Sequence, residues 1–266
     1  MAVAAARYRG LSDLDAAGCV SFIVPAHNEE GTIARVLDRL TALDLDSQVI
    51  VVDDGSTDRT AEIAERFALR HPSMVVFSQP RGGKGSAVRA AIPFVTGDVA
   101  VVQDADLEYD PVDVPALVDP ILSGVADVVY GSRFVPGRPQ RVQMFWQRFA
   151  NRFLSLVVGV LFNTTLTDVE TGYKAVRADV LRSLDLRRSS FDIEIEFTAK
   201  VCRRKLRIYE IPIAYHGRTY AEGKKITWRD GVVALAVLLA ERVRFDRTSV
   251  VHEPVVRPAA VASRAL

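Results

Sequence analysis

The sequence predicts an α/β protein: a mostly parallel sheet covered by helices on both faces. Two observations lead there. Short apolar runs alternate along the chain with stripes of helical spacing, the pattern of successive strand–helix–strand units. Polar clusters follow directly after Val24, Val52 and Val102, so they stand at the carboxyl ends of apolar runs, where parallel sheets bind ligands.

The elements follow in order. Val20–Val24, ended by Pro25, reads as a buried strand. Ile33, Val36, Leu37 and Leu40 form the stripe of an amphipathic helix. Val49–Val52 is a second strand, stopped by Asp53-Asp54-Gly55. Ser56-Thr57-Asp58 supplies N-cap residues for a helix carrying Ile63 and Phe67. Met74–Phe77 is a third strand, Arg81–Gly85 a loop and Ser86–Val95 a helix. Val99–Val102 is a fourth strand, and Pro111–Leu122 a helix opened by proline. Val128–Tyr130 is a fifth strand. Beyond residue 133 the pattern changes to C-terminal helical elements. Helices are expected around Trp146–Phe162, Glu194–Lys205 and Thr227–Phe245, with a strand at Arg207–Ile211. The expected organisation is an N-terminal extension over 1–17, a single domain over 18–245 and a disordered tail over 246–266.

Composition bounds the function. The chain has 266 residues, 49% of them hydrophobic, and a formal net charge of +1. It can bury a large core, and its charge balance argues against a nucleic-acid binder. The charges are segregated, however. No Lys or Arg lies between Arg89 and Arg133, a stretch holding Asp98, Asp104, Asp106, Glu108, Asp110, Asp113, Asp119 and Asp127. Arg133, Arg138, Arg141, Arg148 and Arg152 then follow without an acid among them. Such an order suits a site that holds a cation and then phosphates, and equally two differently solvated surfaces. Cys19 and Cys202 make no cysteine framework, and a cytoplasmic setting is the simpler expectation. No apolar run reaches the roughly 20 residues of a membrane span. Phe153–Phe162 and Gly231–Ala240 read as buried helices or as helices lying on a bilayer surface.

Asp104-Ala105-Asp106 ends a strand, and two carboxylates so spaced can share one hard cation together with phosphate oxygens. Asp54 and Glu29 can accept hydrogen bonds from a ribose or base, or serve as turn residues. His27 can pack against a nucleobase or be structural. Arg81-Gly82-Gly83-Lys84-Gly85 departs from the Walker pattern, leaving a glycine turn that lets backbone approach a ligand.

Val24-Pro25-Ala26-His27-Asn28-Glu29-Glu30, Val51 to Asp58, Lys84-Gly85 and Gln103-Asp104-Ala105-Asp106, in that order, resemble glycosyltransferase family 2. Gly131-Ser132-Arg133-Phe134, Thr167 to Lys174 and His216 to Tyr220 resemble its dolichyl- or polyprenyl-phosphate hexose synthase branch. The resemblance covers roughly residues 18 to 245. It implies a Rossmann-like GT-A fold, a nucleoside-diphosphate sugar donor such as GDP-mannose or UDP-glucose, Mg²⁺ or Mn²⁺, inversion at the anomeric carbon, and a polyprenyl phosphate acceptor at the cytoplasmic face of a membrane. On this resemblance Pro25, His27, Glu29, Asp54 and Lys84 bind the nucleotide sugar. Asp104, Ala105 and Asp106 hold diphosphate and metal. Arg133 and Arg218 act between donor and acceptor, and Arg148, Asp168, Lys174, Lys224 and Lys225 serve the acceptor phosphate. His27 stands where many relatives have an aromatic residue, and Glu108 replaces a glutamine seen in some. Two other readings remain at this stage: the same fold with a soluble or glycan hydroxyl acceptor, using Asp168, Glu170 or Glu194 as base, and a non-catalytic nucleotide-sugar-binding or scaffold protein.

Overall fold

A computed structural model describes residues 18–138, 141, 145–217 and 228–243. Its strands are β1 (Val20–Ala26), β2 (Ser47–Asp53), β3 (Met74–Ser78), β4 (Val99–Val102), β5 (Val128–Ser132), β6 (Lys174–Arg177) and β7 (Ile208–Pro212). They form one seven-stranded sheet in the order β3-β2-β1-β4-β6-β5-β7. β1 pairs in parallel with β2 and β4, β2 with β3, and β5 with β7. β6 alone runs antiparallel to its neighbours, β4 and β5. This is the mostly parallel sheet that the alternation of strand and helix predicts, in the GT-A, Rossmann-like arrangement that the resemblance implies.

The chain winds outward from β1 to β3, then returns to place β4 on the other side of β1. That reversal opens a crevice between the carboxyl ends of β1 and β4. The reversed β6 matters for the same edge. Because it runs the other way, the segment before it, 168–173, arrives at the end of the sheet where the other strands finish.

Helix α1 (Ile33–Thr41) buries Ile33, Val36, Leu37 and Leu40, the predicted stripe. Helix α2 (Thr60–Ala68) has Arg59 at its N-cap, without a side-chain cap. The expected cap residues are otherwise engaged: Ser56 and Thr57 donate their amides to Asp53 and Asn28, while Asp58 accepts from the amide and hydroxyl of Thr60. Helix α3 (Lys84–Ala91) starts earlier than predicted and ends at a 3₁₀ turn, Ile92–Phe94, where Pro93 lacks an amide donor. Helix α4 (Val114–Leu122) follows a 3₁₀ turn at Pro111–Asp113 whose first residues are capped by the Asp110 carboxylate. Helices α5 (Phe145–Phe162), α6 (Ala178–Ser183), α7 (Ile193–Arg203) and α8 (Trp228–Val243) complete the order.

Side chains alternate across each strand, and two cores result. Ile23, Ile50, Val52, Ala100, Val128 and Tyr130 meet α3, α5, α7 and α8 through residues such as Ala87, Leu154, Ile195 and Leu238. Phe22, Val24, Val49, Val51, Val99 and Val101 meet α1, α2 and α4 through residues such as Leu37, Phe67 and Leu117. Among the described residues no helix is long and apolar enough to cross a membrane.

Helix α5 is apolar on two sides. Asn151, Leu154, Ser155 and Val158 are buried, while Phe145, Trp146, Phe149, Phe153, Leu156 and Val160 are exposed. At 3.6 residues per turn these six exposed residues fall within an arc of about 100°. Arg148 and Arg152, also exposed, lie together along one edge of that arc.

Candidate active site

A cavity of about 420 Å³ opens at the carboxyl ends of β1, β2 and β4. Pro25, His27, Glu29, Asp54, Lys84, Asp104, Ala105, Asp106 and Arg133 all line it, from five separate stretches of sequence. Asp168 and Lys174 stand behind its wall, fully or almost fully buried, and Arg148 lies on the exposed side of α5. None of the three lines the cavity. Arg218, Lys224 and Lys225 lie outside the described residues, as do 1–17 and the tail. Tyr109, Gly172 and Tyr215, which carry no individual role in the sequence reading, join the lining, as does Glu194, a candidate base in the soluble-acceptor reading.

The wall at β1 and β2 is held by neutral donors. Asp54 is 4% exposed. Its carboxylate accepts from Gln79 Nε2 at 2.7 Å, the Gly82 amide at 2.8 Å and the Gly83 amide at 2.7 Å. Burial alone raises an acid's pKa, but these hydrogen bonds prevail and hold Asp54 below its usual value. The glycine turn therefore turns its amides toward Asp54. Gly83 has a φ of 93°, and a Cβ there would stand 2.5 Å from the Ser189 carbonyl oxygen, so glycine is required. His27 Nδ1 lies 2.9 Å from the Asp54 carbonyl oxygen. A carbonyl only accepts, so this nitrogen carries a proton.

The opposite wall is held by ions. Lys84 Nζ lies 2.7 and 2.9 Å from the two oxygens of Asp104 and 3.0 Å from Glu194 Oε1. Glu194 Oε2 pairs with Lys174, which also donates to the Thr171 carbonyl. Burial works against the charge on Lys84, yet Asp104 and Glu194 together raise its pKa well above the ordinary range. Burial raises Asp104 despite Lys84. Glu194 resists the upward push of burial because Lys174 and Lys84 hold it down. Burial lowers Lys174 in spite of Glu194.

The bend after β4 is fixed at several points. Gln103 Nε2 donates to the carbonyls of Asp104 and Tyr109, at the two ends of the bend. Leu107 takes a left-handed φ of 64°, and the Glu108 amide donates to Asp106 Oδ1 at 3.0 Å. Glu108 in turn accepts from the Tyr215 hydroxyl at 2.9 Å. Asp104 and Asp106 could hold a divalent cation there. The donor chemistry fits, since both are hard oxygen ligands lining the cavity. Among the described residues no group of three His, Cys or acidic side chains forms a cage; Mg²⁺ typically uses one or two carboxylates and completes its shell with water and phosphate.

Arg133, just beyond β5, makes a two-pronged pair with Asp168, Nε and Nη2 each 2.7 Å from a carboxylate oxygen. Its amide donates to the same carboxylate at 3.0 Å. Asp168 is anchored from behind, since Glu210 accepts the amides of Thr167 and Asp168. The guanidinium carbon stands 5.1 Å from the Tyr215 ring centre. Arg133 thus presents a rigid cationic fork, with burial opposing and Asp168 sustaining its charge.

A switch-point cavity with an acidic bend on one side and an anchored arginine beyond it defines a class, enzymes that transfer groups from phosphorylated donors. Within that class the chain belongs to glycosyl transferase family 2, whose domain matches residues 21–184. It is 32% identical over 227 residues to the undecaprenyl-phosphate mannosyltransferase of Micrococcus luteus, covering 83% of this chain and 91% of that protein. It is 30% identical over 210 residues to the dolichol-phosphate mannosyltransferase of Pyrococcus furiosus, covering 77% of this chain but 58% of that longer protein. Glucosyl-3-phosphoglycerate synthase of Mycobacterium tuberculosis, solved with Mn²⁺, UDP-glucose and phosphoglyceric acid, superposes with a TM-score of 0.67 at 25% identity, over 89% of this chain and 84% of that one. The same synthase has been solved with Mg²⁺ and UDP.

Proposed function

We propose that the protein transfers a hexose from a nucleoside-diphosphate sugar, GDP-mannose or UDP-glucose, to a polyprenyl phosphate, with inversion at the anomeric carbon. One observation carries the proposal: the acidic bend and the Arg133 fork line a single cavity. The polyprenyl-phosphate relatives and the exposed apolar arc of α5 support the lipid acceptor. In this reading residues 18–245 act as one catalytic unit, peripheral on the cytoplasmic face of a membrane.

An acceptor phosphate oxygen attacks the anomeric carbon. A bond forms between them as the bond from that carbon to the β-phosphate oxygen breaks, and the electron pair leaves with the nucleoside diphosphate. A phosphate is already anionic near neutral pH, so no strong general base is needed. Pro25, His27, Glu29 and Asp54 bind the nucleoside. Asp104, Ala105 and Asp106 meet the diphosphate, and the two carboxylates would hold Mg²⁺ or Mn²⁺. When bound, the cation neutralises charge on the leaving diphosphate. Arg133, kept in place by Asp168, positions two anions that repel each other. Lys84 neutralises the diphosphate side. The resemblance assigns Arg218, with Lys224 or Lys225, to the phosphates.

The test is a transfer assay with purified protein, Mg²⁺ or Mn²⁺, a short polyprenyl phosphate and labelled GDP-mannose, UDP-glucose or UDP-N-acetylglucosamine. Label moving into organic solvent as an acid-labile lipid is the expected result and names the sugar. A second reading, a soluble acceptor, is favoured by the likeness to a synthase solved with phosphoglyceric acid. Metal-dependent donor hydrolysis without lipid product would turn the assignment toward it. Folded protein giving neither product nor hydrolysis would favour a binding role.

A further inference from the structure

Asp104, Lys84, Glu194 and Lys174 form an alternating row of charges along one wall of the cavity. They come from the end of β4, the start of α3, the first turn of α7 and the start of β6. Both oxygens of Asp104 face Lys84 Nζ, at 2.7 and 2.9 Å. A cation that takes an Asp104 oxygen therefore meets an ammonium already beside it, and like charges so close in a partly buried site repel strongly. The pair is also hemmed in by backbone. A Cβ at Gly172 would stand 2.7 Å from Asp104 Oδ2 and 2.9 Å from Lys84 Nζ, so the segment before β6 lies directly against them.

Lys84 has a second carboxylate within reach. Glu194 Oε1 is 3.0 Å from its nitrogen, and the Glu194 side chain is itself 13% exposed at the cavity wall. The other oxygen of Glu194 is secured by Lys174, which fixes the carboxylate while leaving the Lys84 side of it available. A lysine head on a flexible four-carbon stem can change its preferred partner between two anions that both already touch it.

We propose that Glu194 is a positioning residue that retains the Lys84 ammonium when Asp104 accepts a divalent cation, so that Lys84 shifts its pairing from Asp104 to Glu194 without leaving the cavity. The inference rests on the assignment of Asp104 and Asp106 to the cation. Glu194 thereby sets how readily the cation enters, although it does not touch the cation itself. Its removal leaves Lys84 with Asp104 as its remaining carboxylate partner in the row, and the ammonium then competes with the metal.

The experiment is a Mn²⁺ titration of the full chain, without nucleotide or acceptor, following the free-ion electron paramagnetic resonance signal. Glu194→Gln is expected to weaken Mn²⁺ binding by about tenfold or more, the effect typical of losing a supporting residue around a metal. Adding Lys84→Met to Glu194→Gln is expected to restore binding to the wild-type level or better, because the competing charge is gone. Glu194→Gln leaves Lys174 buried without its anion, so Glu194→Gln with Lys174→Met provides a second variant, with the same weakening expected. Unchanged Mn²⁺ binding in folded Glu194→Gln overturns the proposal. A loss that persists in Glu194→Gln with Lys84→Met also overturns it, since Glu194 would then act through the fold and not through Lys84. Asp106→Asn separates the two levels: wild-type Mn²⁺ binding there removes the cation assignment and this inference with it. Binding lost in Asp106→Asn but intact in Glu194→Gln removes this inference alone.

Discussion

The two walls of the cavity hold their carboxylates by different means. At the end of β2, Asp54 is enclosed by a glutamine amide and two backbone amides, and its pKa is lowered. At the end of β4, Asp104 faces a lysine, and burial leaves its pKa raised. Backbone donors cannot leave without unfolding the turn between β3 and α3. An ammonium on a flexible stem can exchange one anion for another. The first wall therefore behaves as a fixed mould, suited to recognising a shape. The second carries charges that can be redistributed, suited to a reaction in which negative charge moves. Substitutions on the second wall should damage transfer while sparing the fold, and those on the first should cost stability as well as nucleoside binding.

The largest effect is expected at Asp106. Asp106→Ala should lower transfer by about 10³-fold, at the upper end for loss of one charge-stabilising group, in an assay with buffered free Mg²⁺ or Mn²⁺. Near-normal turnover would remove the metal assignment and with it the sense of the comparison. Arg133→Lys comes next. It keeps the charge but loses the two-pronged geometry toward Asp168 and any phosphate, and transfer should fall by about 10²-fold, with the melting temperature nearly unchanged. A variant that instead melts early would make Arg133 part of the mould.

How much of this was legible in the sequence differs between the same two walls. β1, β2 and β4 announce themselves by apolar runs because parallel strands are buried on both faces, and the polar residues after them fall into the cavity by topology alone. Pro25, Asp54 and Asp104 were accessible in that way, and Arg133 through the family resemblance of Gly131-Ser132-Arg133-Phe134. β6 was not, because Lys174-Ala175-Val176-Arg177 is short and charged at both ends. Without it, nothing indicated that 168–173 would pack against Lys84. The amides of the glycine turn were expected to be open to a ligand, whereas a partner 28 residues away, Asp54, takes them. Glu194 left one readable signal: an acid between Ile193 and Ile195 on a helix whose buried face contains both. A charge placed there needs a partner, and that partner could not be found by spacing, because Lys84 lies in a distant part of the chain.

A smaller effect tests where the cavity meets its acceptor. The exposed arc of α5 includes Trp146 and Phe149, 74% and 56% exposed, packed edge to face with ring centres 6.1 Å apart. Trp146→Glu with Phe149→Glu should remove apolar area from a helix lying on a lipid surface. Transfer to long-chain acceptor in vesicles should fall by about tenfold, because side chains resting at a lipid surface recover only a part of the roughly 1.5–3 kcal/mol that full burial of each would give. Transfer to a short soluble acceptor should be unchanged, and vesicle flotation should weaken in parallel. Equal losses with both acceptors would place the arc in the packing of the transferase itself, and not at a membrane.

The smallest effect is on stability, and it probes the fixed wall. Because the folded-state pKa of Asp54 is lowered from 3.8, its ionised form is favoured in the native protein. The stabilisation it contributes is therefore fully present above the unfolded-state value and is lost as pH falls through the lower folded-state value. Native Asp54 accepts three hydrogen bonds, and protonation weakens its capacity to accept all of them. Asp54→Asn keeps the shape but turns an amide group toward donors that need an acceptor. Unfolding in urea at pH 7 should show a loss of about 1–3 kcal/mol, the cost of leaving a buried polar group unpaired. As pH falls from 3.8 through the lower folded-state value the wild-type and variant curves should converge, since acid removes from the wild type what the substitution already removed. Mn²⁺ binding should stay near the wild-type value throughout the neutral range. If Asp54→Asn instead weakened Mn²⁺ binding as strongly as Asp106→Asn, the wall at β2 would belong to the exchangeable charges, and the division of the cavity into a mould and a reactive face would fail.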